Sequence, residues 1–215
     1  MKEDKFLSGF MLHRLRVALV DTRLYSKNEA KQIIKEAKPI TSSLIGRVEN
    51  LSHRNPLSSN IQFAFPIIGV WLSSNKKISI DKITILIEHA LNSKLVRLFY
   101  SAYDFNREKD AKKFLNSMKR YADWHDKHMD EDACGWKYVF DDNLHKKGCS
   151  YGFKFCPIAD FCLKNGYQEI APLLCSIDYA TFKMCHGKLI RNHKLAQGDD
   201  ICDFWIVGDK EKNIE

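Results

Sequence analysis

Five residues in the C-terminal third of the chain are of types that together support nucleophilic catalysis. They are a thiol, two carboxylates, a guanidinium and an imidazole, at Cys175, Asp178, Asp203, Arg191 and His193. Cys175 and Asp178 lie three residues apart in a segment with helical spacing, so they are predicted to share one helix face. A thiol near a base and a carboxylate favours attack on an sp² carbon, because the base generates thiolate at neutral pH.

The chain after this helix is predicted to form a hairpin that contributes the other groups. Residues 188–196 and 201–207 have the composition of two strands joined by a short acidic turn. Cys202 and Asp203 are adjacent, and successive side chains of a strand point to opposite faces. We therefore expect Asp203 to face the pocket, while Cys202 packs behind it or faces a second layer with Cys156.

A pairing register for the hairpin follows from placing Leu195 opposite Ile201 across the turn. This register sets His193 opposite Asp203 on one face of the sheet. The carboxylate would then orient the imidazole and favour its charged form. A slip of one residue would separate the pair, so the prediction depends on the register.

The same register sets Arg191 opposite Trp205. A guanidinium there would add a positive site for a substrate carboxylate, which it binds through two parallel hydrogen bonds. The sequence therefore predicts a pocket for a small anionic substrate between the hairpin and the preceding helix.

Two metal sites are alternatives to this interpretation. Thiolates with one imidazole suit zinc, and the chain offers Cys156, Cys175, Cys202 and His193. There is no CxxC pair to give a local zinc signature, so we expect no metal and no cofactor. His125 and His128 are three apart, and they could bind a metal or lie on a solvated helix end of mixed charge. A third interpretation is a ligand-binding module without catalysis, since the same fold can have different functions.

Periodicity along the chain predicts an α+β protein. Residues 1–130 have helical spacing, and Ser26 with Glu29 forms a capping box at the start of a helix expected to end near Lys38, before Pro39. Residues 131–210 are predicted to form short antiparallel strands with one longer helix, Gln168 to Cys185, packed against them. The two parts are expected to make one compact domain, with the catalytic groups in the second.

The amino-acid composition of the chain indicates what kind of protein it is and which partners it can bind. The chain has 215 residues, is 45% hydrophobic and has no apolar run long enough to span a membrane. Its seven cysteines are an odd number, which predicts reduced thiols and a cytoplasmic location. The net charge of +7 attracts small anions, but the basic residues are dispersed, so we expect no nucleic-acid partner.

The order of the C-terminal residues resembles that of a known family, the L-2-amino-thiazoline-4-carboxylic acid hydrolases. The resemblance is dense over residues 135–205. Its elements are Phe155-Cys156-Pro157-Ile158, Asn165-Gly166, Glu169, Pro172-Leu173-Leu174-Cys175, Asp178-Tyr179, Gly187, Arg191, Leu195-Ala196, Gly198-Asp199 and Cys202-Asp203-Phe204.

The resemblance implies an enzyme that opens a cyclic isothiourea with water and yields an N-carbamoyl cysteine. Either a Cys175 thiolate attacks the ring carbon, or a carboxylate activates water directly. Combined with the hairpin geometry, it predicts catalytic, substrate-binding and second-layer residues. The catalytic set is Cys175, Asp178, His193 and Asp203; the substrate-binding set is Arg191, Trp205 and Glu169; the second layer is Cys156 and Cys202. The family typically has threonines after Arg191, so a role for His193 would be particular to this chain.

Overall fold

The chain divides into two compact units, Met1–Ser93 and Lys94–Glu215. The structure is a computed structural model, and it describes residues 1–100, 102–141 and 144–212. Within these ranges, no helix is long and apolar enough to cross a lipid bilayer.

The first unit is built from helices packed around one apolar helix. The helices are α1 (Lys5–Asp21), α2 (Lys27–Gly46), α3 (Ser58–Ser73) and α4 (Ile80–Leu91). α3 lies at the centre and buries almost its whole length, including Phe65 and Trp71, which have no exposed surface. α1 and α2 both pack against it. A helix that is apolar all round is stable only when neighbours cover it on several sides.

Helix α2 begins as predicted but continues past its proline. The Ser26 hydroxyl accepts from the Glu29 N–H at 3.3 Å, and the Glu29 carboxylate accepts from the Ser26 N–H at 2.8 Å. The predicted end at Lys38 is wrong, because α2 runs to Gly46 with Pro39 inside it. The last two turns bury Leu44 and Ile45, and this burial offsets the hydrogen bond lost at the proline.

The second unit combines helices with a small sheet. Its helices are α5 (Lys94–Tyr100), α6 (Glu108–Lys127), α7 (Met129–Asp132), α8 (Pro157–Lys164) and α9 (Ala171–Met184), with a short 3₁₀ helix at Leu195–Gln197. Its strands are β1 (Lys137–Val139), β2 (Cys149–Phe155), β3 (Gly187–Ile190) and β4 (Cys202–Gly208). The described strands form an antiparallel sheet in the order β1-β2-β4-β3.

The inner face of this sheet is aromatic. Tyr151 and Phe153 on β2 lie beside Phe204 on β4, and Phe182 of α9 packs against Phe204 at 6.4 Å between ring centroids. Most of these rings meet edge to face, an arrangement that aromatic pairs favour. This layer fixes the position of α9 over the sheet, and α9 carries the predicted catalytic thiol.

The predicted α+β architecture is confirmed, with helices first and an antiparallel sheet near the C-terminus. α9 begins at Ala171 rather than at Gln168. The predicted first strand of the hairpin is too long, because β3 ends at Ile190 and the chain then forms a loop and the 3₁₀ helix.

Candidate active site

Two thiols from different elements meet where α9 crosses the sheet. Cys175 is in the second turn of α9, and Cys202 is the first residue of β4. The two thiols lie close enough for their titrations to be coupled. Cys175 is half-buried, whereas Cys202 is 5% exposed, so the pair is reached from the Cys175 side.

Arg191 lies beside the thiol pair and holds three elements together. Its Nη2 donates to Asp178 Oδ2 at 2.8 Å, its Nη1 to the Cys175 carbonyl at 3.2 Å, and its Nε to the Asp203 carbonyl at 3.1 Å. The guanidinium also stacks on the ring of Phe204, with Cζ 3.8 Å from the centroid. The side chain has no exposed surface. Arg191 therefore positions α9 against β4, and all three of its nitrogens are engaged within the protein.

The surroundings of the two thiols separate their acidities. The hydrogen bond from Cys175 lowers the pKa of Cys202 to about 7, helped by the charge of Arg191 and the N–H of Leu195, against the effect of burial. The same hydrogen bond and burial raise the pKa of Cys175 well above that of an ordinary thiol. A donated hydrogen bond stabilises the thiolate that accepts it. The two thiols therefore titrate as a pair, and Cys202 is the more acidic of them.

Asp178 is a partly exposed carboxylate close to the thiols. Its side chain is 40% exposed, and partial burial raises its pKa against a smaller opposing effect of Arg191. Oδ2 is bonded to Arg191, whereas Oδ1 has no partner within the part of the chain that is described.

A third thiol, Cys156, belongs to the N-cap residue of α8, and its side chain makes no capping hydrogen bond. Burial raises the pKa of Cys156 to about 11, and the charge of Cys202 contributes to the shift. Cys156 is thus protonated at neutral pH.

The predicted hairpin register is wrong by one residue. Ile190 pairs with Trp205 and Leu189 with Ile206, whereas the prediction set Arg191 opposite Trp205. The slip reverses the expected faces, so Cys202 points to α9 and Asp203 to the other side.

Asp203 is used by the loop that follows β3. Its carboxylate accepts from the backbone N–H of Asn192 at 3.0 Å and of His193 at 2.6 Å. Asp199 likewise accepts from the N–H of Lys194 at 2.7 Å. Asp203 and Asp199 thus accept hydrogen bonds from backbone N–H groups that a longer β3 would have donated to another strand. The loop therefore turns away from the sheet.

Three further predicted site residues lie away from the thiols. The His193 ring is exposed, and its Nδ1 is 4.0 Å from Asp199 rather than paired with Asp203. Trp205 stacks on His145 at 3.8 Å and donates to the Lys147 carbonyl, on the sheet face away from Arg191. Glu169 is exposed in the turn before α9.

The predicted grouping of Cys175, Asp178 and Arg191 agrees with their positions in the structure. Sequence reasoning placed Cys202 behind the site and did not include Tyr179, which lies between Arg191 and Lys194. The adjacent Cys202-Asp203 pair was the available signal, but alternation alone does not say which of two neighbours faces inward.

The arrangement of the described residues does not suggest a metal centre. In residues 1–100, 102–141 and 144–212, no group of three or more His, Cys, Asp or Glu side chains is placed to hold an ion. His125, one of the two candidate ligands on α6, is instead buried with its Nδ1 2.8 Å from Asp132, and His128 stacks on Trp124. Neither histidine is on a freely solvated helix end.

Comparison with known proteins assigns the chain to a family. The family model described as L-2-amino-thiazoline-4-carboxylic acid hydrolase matches residues 69–206, well over half of the chain. The matched range contains Cys156, Cys175, Asp178, Arg191 and Cys202. No curated protein and no solved structure matches the chain. The chain therefore belongs to the L-2-amino-thiazoline-4-carboxylic acid hydrolase family.

Proposed function

We propose that this protein is a cysteine-dependent hydrolase that opens a cyclic isothiourea carrying a carboxylate, such as 2-amino-thiazoline-4-carboxylate. The observation that carries the proposal is the grouping of Cys175, Cys202 and Asp178 around the buried Arg191 guanidinium. In this group the pKa of Cys202 is lowered to about 7, so a substantial fraction of it is thiolate at neutral pH. A thiolate, unlike a thiol, is nucleophilic. The reaction needs reduced thiols, as the cytoplasm maintains them, and all seven cysteines are free.

In the first step, the Cys202 thiolate attacks C2 of the ring. A bond forms between the Cys202 sulfur and C2, and the bond between C2 and the ring sulfur breaks. The ring sulfur leaves with the electron pair and takes a proton from the Cys175 thiol. The product of this step is an isothiourea linked through sulfur to Cys202, with the opened cysteine chain still attached through nitrogen.

In the second step, water attacks C2 of the linked isothiourea. Its oxygen forms a bond to C2, one water proton passes to the imino nitrogen of the isothiourea, and the other restores the Cys175 thiol. The bond between C2 and the Cys202 sulfur breaks, and the sulfur keeps the electron pair as the regenerated thiolate. The net change is the addition of one water, which gives N-carbamoyl cysteine. Cys175 thus donates a proton in one step and recovers one in the next.

Asp178 supplies the charge that makes C2 electrophilic. An amidine carbon is attacked more readily when its nitrogen is protonated, and an adjacent carboxylate favours that protonation. Oδ1 of Asp178 belongs to a partly exposed side chain, while Oδ2 is held by Arg191. A substrate N–H that donates to Oδ1 would lie beside the thiol pair.

Assigning the attack to Cys202 differs from both routes of the sequence-based prediction, in which either a Cys175 thiolate attacks or a carboxylate activates water. Cys175 is the more exposed of the two, but its pKa is raised, so it is the proton donor of the pair. The pKa of Cys202 is lowered by the hydrogen bond from Cys175, by Arg191 and by the N–H of Leu195. The residue that carries the covalent adduct distinguishes the two assignments.

The test incubates the full chain with 2-amino-thiazoline-4-carboxylate and follows release of a new thiol and a mass gain of one water. Acid-quenched enzyme is then digested and searched by mass spectrometry for the linked isothiourea. We expect the adduct on Cys202, and we expect Cys202→Ser to reduce turnover by about a thousandfold or more. Cys134→Ser, at a half-buried thiol outside the site, is the matched control.

Each other outcome has a defined meaning. An adduct on Cys175 would restore the sequence-based assignment. Near-normal turnover in Cys202→Ser would exclude covalent catalysis there and favour water activated by Asp178. No hydrolysis by the wild-type chain would overturn the proposed substrate class.

A further inference from the structure

A substrate with a carboxylate needs a cation, and Arg191 is not free to supply it. Each of its three nitrogens donates to a protein oxygen, and its side chain has no exposed surface. Its charge is matched by Asp178, and its planar face is covered by Phe204. Since the guanidinium has no exposed surface, a ligand could reach it only if the groups that cover it moved, so we expect another residue to hold the anion.

Lys194 is a second cation beside the Tyr179 ring. Its Nζ lies 5.7 Å from the centre of the Tyr179 ring, and the Arg191 Cζ lies 5.7 Å from that ring as well. Tyr179 follows Asp178 on α9 and is 37% exposed. Tyr179 is also close enough to Cys202 to feel its charge. Lys194 and Arg191 thus both lie close to one partly exposed ring.

The backbone of Lys194 is fixed while its ammonium is left available. The Lys194 N–H donates to Asp199 at 2.7 Å, and the residue directly precedes the 3₁₀ helix whose first N–H supports Cys202. Among the described residues, no carboxylate lies within ion-pair distance of the Lys194 Nζ, whereas Lys112, Lys147 and Lys164 each have one. The nearby acids, Asp199 and Asp203, are bound to backbone N–H groups of the loop.

We propose that the Lys194 ammonium binds the carboxylate of the substrate, with the Tyr179 ring as the wall between this anion site and the thiol pair. The inference rests on the proposed function and deepens it. The proposed site then has groups of opposite charge at its two ends. Lys194 holds the carboxylate at one end, and Asp178 holds the protonated amidine at the other. A substrate bound by both residues presents C2 to Cys202. Molecules that lack these charges, or that carry them in exchanged positions, bind weakly.

The test compares the carboxylate substrate with its neutral carboxamide in the full-length wild type, Lys194→Met and Lys194→Arg. We expect Lys194→Met to raise KM for the carboxylate about tenfold or more, as for loss of a charged hydrogen bond, with little change for the carboxamide. Lys194→Arg should retain most of the affinity, because it keeps the charge. Lys188→Met, which changes an exposed lysine on β3, is the matched control and should leave both substrates unaffected.

A binding measurement separates this inference from the proposed function. Thiazolidine-4-carboxylate has the ring and the carboxylate but no amidine, so it cannot react, and its binding is followed by calorimetry. We expect binding that weakens with added salt and is lost in Lys194→Met.

Binding that depends on Lys194 without any hydrolysis would uphold the anion site and overturn the proposed reaction. Hydrolysis with an unchanged KM in Lys194→Met would overturn the anion site and uphold the reaction. An equal loss for carboxylate and carboxamide would also overturn the anion site, and neither binding nor hydrolysis would overturn both.

Discussion

The thiols of Cys175 on α9 and Cys202 at the start of β4 lie close enough for their titrations to be coupled. The two residues are distant in the sequence, and they meet because Arg191 ties both elements together. It contacts the Cys175 carbonyl on one side and the Asp203 carbonyl on the other. The packing of α9 against β4 in the second unit is therefore what brings the two thiols of the proposed reaction together.

The first prediction concerns the acidity of Cys202. Its pKa is lowered to about 7, so the thiolate is present above that pH and is lost as the pH falls through it. We expect a titration of thiolate ultraviolet absorbance with a midpoint near pH 7 that is absent in Cys202→Ser. In Cys175→Ala the donor is lost, so the midpoint should rise toward that of an ordinary thiol. The same midpoint in Cys175→Ala and in the wild type would contradict the hydrogen-bond origin of the shift.

The second prediction concerns Arg191. Arg191→Lys keeps one charge but cannot hold three oxygens and stack on Phe204 at the same time. We expect a loss of about 2 kcal/mol in the free energy of unfolding, discounted for the partial exposure of Asp178, as measured by urea denaturation. An unchanged stability with only a higher KM would instead mean that the guanidinium binds substrate, as the sequence alone predicted.

The third prediction concerns Asp203. Asp203→Ala removes the acceptor of two backbone N–H groups in the loop that carries Lys194, so the loop should open and KM should rise. Because these bonds are exposed, we expect a loss of only about 1 kcal/mol of stability. Asp203→Asn keeps one acceptor oxygen and should retain most of the activity. Faster amide hydrogen exchange over residues 191–195 in Asp203→Ala is the direct measurement.

If Asp203 acts instead as a catalytic carboxylate, the result is different. Asp203→Asn would then lower turnover strongly without faster exchange in the loop. That outcome would support the original prediction that Asp203 acts in the chemistry.

The fourth prediction concerns Gly135, which lies against the buried pair of His125 and Asp132. A Cβ at this position would be 2.0 Å from Asp132 Oδ2 and 2.7 Å from His125 Nδ1. We expect Gly135→Ala to cost at least about 2 kcal/mol in thermal or urea unfolding, because neither buried partner has room to move. Gly9→Ala, within α1 with no atom near the added methyl, is the control and should stabilise by about 0.5–1 kcal/mol. Equal stability of the two variants would contradict the close packing.

Local spacing in the sequence correctly predicted several features. Ser26 and Glu29 form their capping box because both partners lie within one turn of the chain. Cys175 and Asp178 lie near each other on α9 because helical spacing puts residues three apart on the same side. The change from helical to alternating patterns likewise predicted the α+β class. These features depend on contacts within a few residues, which a sequence shows directly.

Contacts between distant segments explain the errors. Alternation in β4 is compatible with either face pointing inward, so the choice between Cys202 and Asp203 depended on the register with β3. That register was set by the end of β3 at Ile190, where Asp203 takes the backbone N–H groups of the loop. Pro39 stayed inside α2 for a comparable reason, because helical residues beyond it are buried.

The sequence by itself determined the fold class, the family resemblance and the residue types of the site, since each depends on the order and spacing of residues along the chain. Only the tertiary structure decided the roles. It placed Cys202 next to Cys175, buried the Arg191 side chain and set the Lys194 ammonium beside the Tyr179 ring. The physical reason is that the pKa of a thiol and the availability of a cation depend on burial and on partners from other segments.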